Sequence, residues 1–211
     1  MSQQLPLFPL QLVVFPGEEL RLHIFEARYR QLVSECETEN IEFGIPAYID
    51  GKMMSIGTSV RLLKVDKNYS TGESDITVVG TSLFQIDEFF EQLPNKLYAG
   101  ALVQAVALTG KEDPIINNEI LQLTEQLFRL LNVSKSLPDN TNPFITYELA
   151  HLVGFSLDQE YELLCLTGAQ ERQRMLLSYL KELLPTVQKV EALRHKAMLN
   201  GAHKNIIPPK V

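Results

Sequence analysis

The sequence predicts an α+β fold: an N-terminal barrel-like β-sheet carrying one amphipathic helix, followed by a C-terminal α-helical bundle. Three observations predict it. Alternating and β-branched segments crowd residues 1–110. A single apolar stripe at helical period interrupts them. From residue 111 onward the apolar period becomes helical throughout, and Gly110-Lys-Glu-Asp-Pro114 marks the change. A chain of 211 residues suffices for one large domain or two small ones. The expected division is 1–110 and 111–211, with a junction short enough for the two parts to touch.

In the first part, Pro6, Pro9 and Pro16 cut the opening into short extended pieces. Leu20-Arg-Leu-His-Ile24 alternates, with Leu20, Leu22 and Ile24 on one face. Phe25, Tyr29, Leu32, Val33 and Cys36 then form the helical stripe, while Glu26, Arg30, Glu35 and Glu37 face away. Such a helix is suited to plug one end of a barrel, and closing a sheet removes its exposed edges. Ser55 to Val65 reads as a strand. Lys67 to Ser74 reads as a hairpin loop in which Gly72 takes positive φ. Ile76–Val79 and Ser82–Phe90 follow as extended segments, with a bulge or bend at Gly80. Leu97 to Leu108 completes the sheet.

In the second part, Asp113-Pro114 starts a helix whose stripe is Ile120, Leu123, Leu127, Leu130 and Leu131. Asn142-Pro143 repeats that start signal before Phe144–Val153, and Gly154 ends the helix. Ser156-Leu-Asp-Gln159 and Thr167-Gly-Ala-Gln170 both have capping-box spacing. The helix after Thr167 runs through Leu183, where Pro185 ends or kinks it. A further helix covers Val187–Leu199, with Gly201 as a cap, and Pro208-Pro209 lies in a loose tail.

The net charge of −7 is uneven. Residues 1–110 hold eight Lys/Arg against fourteen Asp/Glu, whereas 186–211 holds five against Glu191 alone. This does not favour nucleic acid as a partner, because such binders carry a basic face. The basic end reads first as a solvated helix face and second as a docking surface for an acidic partner or a second copy. No apolar run reaches the length of a membrane span, and the start lacks a signal-peptide pattern, so the expected location is the cytoplasm. Cys36 and Cys165 read as buried apolar groups, not as metal ligands.

Catalytic patterns are missing. There is no phosphate-binding glycine loop and no Gly-x-Ser-x-Gly elbow. Ser178 and Lys181, three apart, read as a solvated pair. His23, His151, His195 and His203 are dispersed, with His23 on the second face of its strand in a structural hydrogen bond. The acidic clusters lack calcium spacing. No catalytic residue, cofactor or metal site is therefore expected.

Three motifs inside thirty residues carry a resemblance: Leu5-Pro-Leu-Phe-Pro-Leu10, Val13-Val-Phe-Pro-Gly17 and His23-Ile-Phe-Glu-Ala-Arg-Tyr-Arg30. Together they resemble the N-terminal, substrate-binding domain family of Lon proteases. Gly44, Gly57-Thr58, Asp75–Gly80 with Phe84 and Ile86, and Tyr98-Ala99 resemble the family's later strands. Ala27 stands where the family often has Pro, and Ser82–Gln85 lacks an Arg pair common beside Phe84. The resemblance implies a PUA-like β-barrel ahead of the helical bundle and a non-catalytic module that recognises polypeptide. The chain ends where Lon's linker helix, ATPase and peptidase would begin, which resembles the stand-alone Lon-domain proteins of bacteria. Phe8, Phe15, Phe25 and Tyr29 suit the core and plug, Pro16-Gly17 a turn, and Glu26 and Arg28 an anchor between helix and sheet. Phe15, Pro16, Phe25, Arg28 and Tyr29 are the candidate peptide-binding residues. The expected partner is a polypeptide, with the chain a monomer or weak homodimer. An RNA-binding PUA-like module and an assembly protein docking through the basic end are the alternatives.

Overall fold

A computed structural model describes residues 2–139 and 145–202, with side chains through Met198. Six strands form one antiparallel sheet: β1 (Gln3–Pro6), β2 (Glu19–Ile24), β3 (Phe43–Ile49), β4 (Lys52–Asn68), β5 (Ser74–Phe90) and β6 (Gly100–Val106). The order is β1-β6-β5-β4-β3, with β2 lying off this path on β5. Helix α1 (Ala27–Glu39) follows β2. After the sheet come α2 (Pro114–Leu131), α3 (Ile145–Ala150), α4 (Leu157–Cys165) and α5 (Ala169–Ala202).

The sheet does not close as a continuous ladder, contrary to the expected barrel. Its hydrogen-bonded path ends at β3 on one side and β1 on the other. The segment after β1 spans the gap with isolated parallel bridges, Leu7 to Gly44 and Leu10 to Ala47. Pro9 has no N–H to give, so a regular strand cannot run through it. Strand β3 has no counterpart in the periodicity of the sequence; only the resemblance at Gly44 pointed to a strand there. Its residues are buried except Tyr48, so the segment shows no alternation to signal it.

The long strands were legible only in pieces. β5 is one strand of 17 residues, not two segments. The expected irregularity at Gly80 is present, because Ser59 and Val60 pair with Ser82 and Gly80 and leave Thr81 extra. Gly72 takes φ 85° in the β4–β5 hairpin. Arg30 reaches that loop, donating to the Thr71 carbonyl at 3.1 Å.

Helix α1 buries Tyr29, Leu32, Val33 and Cys36 against the sheet. Phe8 stacks on Tyr29 with ring centroids 3.7 Å apart. Two expectations fail here. Phe25 is 61% exposed, because the extended backbone at Glu26 places it before the helical period begins. Glu35 is not a solvated residue: its carboxylate accepts from Lys96 at 2.7 Å and from the Tyr98 hydroxyl. Burial pushes the Glu35 pKa up, but the bonds from Lys96, Tyr98 and Gln31 outweigh it and hold the carboxyl below its ordinary value.

In the helical half, Asp113 caps α2 by accepting from Ile115 N–H at 2.8 Å, with Pro114 in the first turn. Ser156 and Gln159 form the full capping box of α4. Thr167 does not cap α5. Its carbonyl takes the Thr109 N–H, and the Thr109 carbonyl takes the Ala169 N–H, so the residues before α5 are tied to the chain leaving β6. The start expected at Asn142-Pro143 lies outside the described residues, as do His203 and Pro208-Pro209. Pro185 does not end α5, which runs unbroken to Ala202 and so replaces two expected helices. Gly154, at φ 86°, follows the turn after α3.

The two halves share a core. Val13, Phe15, Ala47, Ile49 and Leu83 pack with Tyr147, Ala150, Leu163 and Leu164. The strap Val13–Phe15 crosses the sheet to reach them, held by Thr58 Oγ1 donating to the Val14 carbonyl at 2.5 Å. A Cβ on Gly80 would lie 2.2 Å from the Phe15 carbonyl oxygen. That neighbour is backbone and no rotamer change relieves it. Gly80→Ala is therefore expected to destabilise the protein by about 3 kcal/mol, read as a lower urea midpoint in both near-UV and far-UV signals.

Candidate functional site

Pro16-Gly17 turns the strap into β2. Glu18 N–H donates to the Phe15 carbonyl at 3.1 Å, and Gly17 takes φ 85°, the pattern of a type II turn. The Glu18 carboxylate also accepts from Phe15 N–H at 2.9 Å. Phe15 is thus fixed from both sides of its peptide unit, with its ring aimed at the helical half.

That ring stacks on Tyr147 with centroids 4.8 Å apart and meets the His151 ring at 5.0 Å. On the far side of Tyr147 lies the Arg172 guanidinium, 4.6 Å from the ring centroid. Arg172 is buried and donates to the carbonyls of Leu166 and Thr167 at 3.0 and 3.1 Å. Burial pushes the Tyr147 hydroxyl up to about 12, against the opposing pull of Arg172. A column of Phe15, Tyr147 and Arg172 therefore joins the strap to α3 and α5.

His151 lies beside this column. Its Nδ1 bonds Glu160 at 2.7 Å and its Nε2 bonds Glu18 at 3.2 Å. Burial alone would lower its pKa, but the bonds to Glu160 and Glu18 and their charges outweigh this and raise it to about 9. The imidazolium is the charged link between the turn before β2 and helix α4.

Over this junction opens a cleft of about 540 Å³. Phe15, Pro16, Leu137, Pro138, Tyr147 and Leu152 supply its apolar lining, and Glu18, Glu19, Glu148 and His151 its charged lining. A second groove lies on the β half, lined by Pro9, Arg28, Tyr29, Tyr48 and Phe89 among others. Tyr48 and Phe89 are exposed there.

The five sequence candidates do not converge. Phe15 and Pro16 belong to the junction cleft, and Arg28 and Tyr29 to the β-half groove. Phe25 lines neither and stacks on His23 at 6.1 Å. Glu26 and Arg28 do not anchor helix to sheet; they pair with each other at 2.7 Å. Two residues apart at the start of α1, they reach each other before either reaches β2. Leu137, Tyr147, His151 and Leu152 were missed as site residues. The spacing of Tyr147 and His151, four apart, was the available signal that both face one way.

Ser178 is exposed and Lys181 pairs with Glu119 at 2.8 Å, so the two do not form a nucleophile–base pair. His23 bonds Asp75 at 2.7 Å, the structural role expected of it. Among the described residues, no three His, Cys, Asp or Glu gather as metal ligands. Cys36 is buried, and burial pushes its thiol up to about 12. Among the described residues, no helix is long and apolar enough to cross a membrane.

Residues 4–182 match the family model of the substrate-binding domain of ATP-dependent protease La (Lon). The chain belongs to that family. Solved structures agree with the assignment. A Lon N-terminal domain protein from Xanthomonas campestris superposes with a TM-score of 0.64 at 27% identity, covering 84% of this chain and 98% of that one. The N-terminal domain of Mycobacterium avium complex Lon protease superposes with a TM-score of 0.63 at 15% identity, covering 85% and 98%, and shows the shared fold. No curated protein sequence matches the chain.

The His151 pair sets a pH dependence for this Lon-family domain. A folded pKa raised from 6.5 to about 9 means that the ion pairs stabilise fully below the ordinary value and cease to as pH rises through 9. The excess stability of the parent over His151→Gln is therefore expected to be largest near about pH 6 and to fade by about pH 10. Urea midpoints of both proteins across that range check it; a constant difference would contradict the assignment.

Proposed function

We propose that this chain is a non-catalytic recognition module that binds polypeptide in the cleft between its sheet and its helices. Family membership supports polypeptide as the ligand class. The observation that carries the reading is the make-up of the cleft: partly exposed Leu137, Pro138 and Leu152 beside the buried Phe15, Pro16 and Tyr147, with the carboxylates of Glu18, Glu19 and Glu148 in the same lining. Concave apolar sites with a few placed polar groups are how proteins hold extended segments. The lining is pre-ordered by the Phe15–Tyr147 stack, so binding orders the ligand more than the protein. The PUA-like architecture belongs to the same reading. The isolated bridges from Leu7 and Leu10 to β3 support it, since they bring the two ends of the sheet together.

The carboxylates of the lining favour segments that combine an apolar anchor with Lys or Arg over acidic ones. Leu137 is partly exposed, lies in a loop and packs on the edge of the helical core. Leu137→Asp is expected to lower the unfolding midpoint modestly, because the residue touches the helical core, and, measured where the variant is fully folded, to weaken binding of apolar, basic peptides by about tenfold. Fluorescence anisotropy with unfolded-protein peptides and scrambled controls reads this. Equal affinity for peptide and scramble, or unchanged affinity in Leu137→Asp, would remove the cleft as the binding site.

A further inference from the structure

The last third of α5 has a face that the body of the protein does not cover. Up to Leu184 the helix buries Leu176, Leu180 and Leu184 against α2 and α3. From Gln188 to Met198 every side chain except Glu191 is exposed. Val190, Leu193 and Met198 are 55%, 66% and 64% exposed. Val187, Val190, Leu193 and Ala197 recur three to four apart and share a side. Lys189 and Lys196, one heptad apart, run beside that stripe, and Arg194 adds a third cation that pairs with Glu191 at 3.3 Å. The projecting end is therefore amphipathic and basic.

The lining of the junction cleft is complementary: Leu137, Pro138 and Leu152 are apolar and partly exposed, and the carboxylates of Glu18, Glu19 and Glu148 outnumber its one cation, His151, which Glu18 pairs. The helix is continuous from Ala169 to Ala202, a rod of about 51 Å at 1.5 Å per residue, and Pro185 does not fold it back. A continuous helix gives its exposed end no turn by which to fold back toward the cleft of the same molecule.

We propose that the projecting end of α5 docks across the junction cleft of a second copy of this chain. Val190 and Leu193 lie over Leu137, Pro138 and Leu152, while Lys189 and Lys196 meet the carboxylates of the lining. The cleft holds side chains, not a whole helix, so the contact is a helix face laid on a groove. The two surfaces differ, and two copies that exchange helices satisfy both contacts at once. The proposal rests on the cleft of the preceding section but names its occupant when no foreign segment is present, so self-association and peptide binding compete.

Sedimentation velocity of the full chain tests it, from low micromolar to about 100 µM at low salt. The parent is expected to self-associate, and salt to weaken the association. Leu193→Asp is expected to raise the dissociation constant at least tenfold with the unfolding midpoint unchanged, because the residue is exposed. Glu19→Lys and Lys189→Glu are each expected to weaken it, and the double variant, which exchanges the charges, to recover it. A parent that stays monomeric throughout overturns the proposal. So does association that Leu193→Asp leaves unchanged, or a double variant no tighter than the single ones. Peptide binding by Leu193→Asp separates the two readings. If this variant is monomeric and binds peptide at least as well as the parent, both hold. If it is monomeric and binds none, the docking stands and the foreign-peptide reading falls.

Discussion

Phe15 is the most constrained contact between the two halves, beside the Thr109 bonds to the start of α5 and the Ile56 N–H bond to the Tyr161 hydroxyl. Its carbonyl is pressed against Gly80, its N–H is held by the Glu18 carboxylate, and its ring stacks on Tyr147. A strap with no regular secondary structure is normally the soft part of a fold. Here the Val14 carbonyl and the Phe15 N–H and carbonyl each have a partner, and the residue packed against the Phe15 backbone is a glycine. The core shared by sheet and helices follows from that placement, since Val13 and Phe15 enter the same cluster from opposite ends of the strap.

The junction also concentrates charge that elsewhere lies on the surface. Arg172 is buried behind Tyr147, and His151 is held between two carboxylates. A buried cation is costly unless it is solvated by the protein, and the carbonyls of Leu166 and Thr167 do this for Arg172. Glu112 plays the matching role at the start of α3, accepting from Thr146 N–H and Oγ1 while its other oxygen takes Asn117. Gln173 joins this set by bridging Asp113 and Asn117. These bonds fix the starts of α2 and α3 against α5. The cleft above them is therefore walled by elements that cannot shift singly.

Much of the fold was legible in local pattern. The α1 stripe, the Asp113-Pro114 start, the Ser156–Gln159 box and the Gly72 hairpin each depend on residues within one or two turns of each other. β3 was not legible, because a strand buried on both faces has no alternation. Continuity through Pro185 was not legible either. Proline removes one hydrogen bond and disfavours the turn before it, yet packing of Leu176, Leu180 and Leu184 on one side keeps the helix going. The sequence candidates fall in pairs of chain neighbours, Phe15 with Pro16 and Arg28 with Tyr29, and each pair lines a different groove; Tyr147 and His151, which complete the junction cleft, lie far along the chain from Phe15 and carry no local signal of it.

By itself the sequence determined the order of the elements, the switch from strands to helices near residue 110, and membership in the Lon substrate-binding family, because each rests on short-range period or motif spacing. Only the tertiary structure decided which aromatic residues face a cleft, that the sheet is bridged and not closed, and that Tyr147 and His151 meet the strap. Those outcomes depend on contacts between residues far apart in the chain, such as Leu7 with Gly44 and Phe15 with Tyr147. No local period encodes such contacts; they exist once the strap crosses the sheet and α3 packs against it.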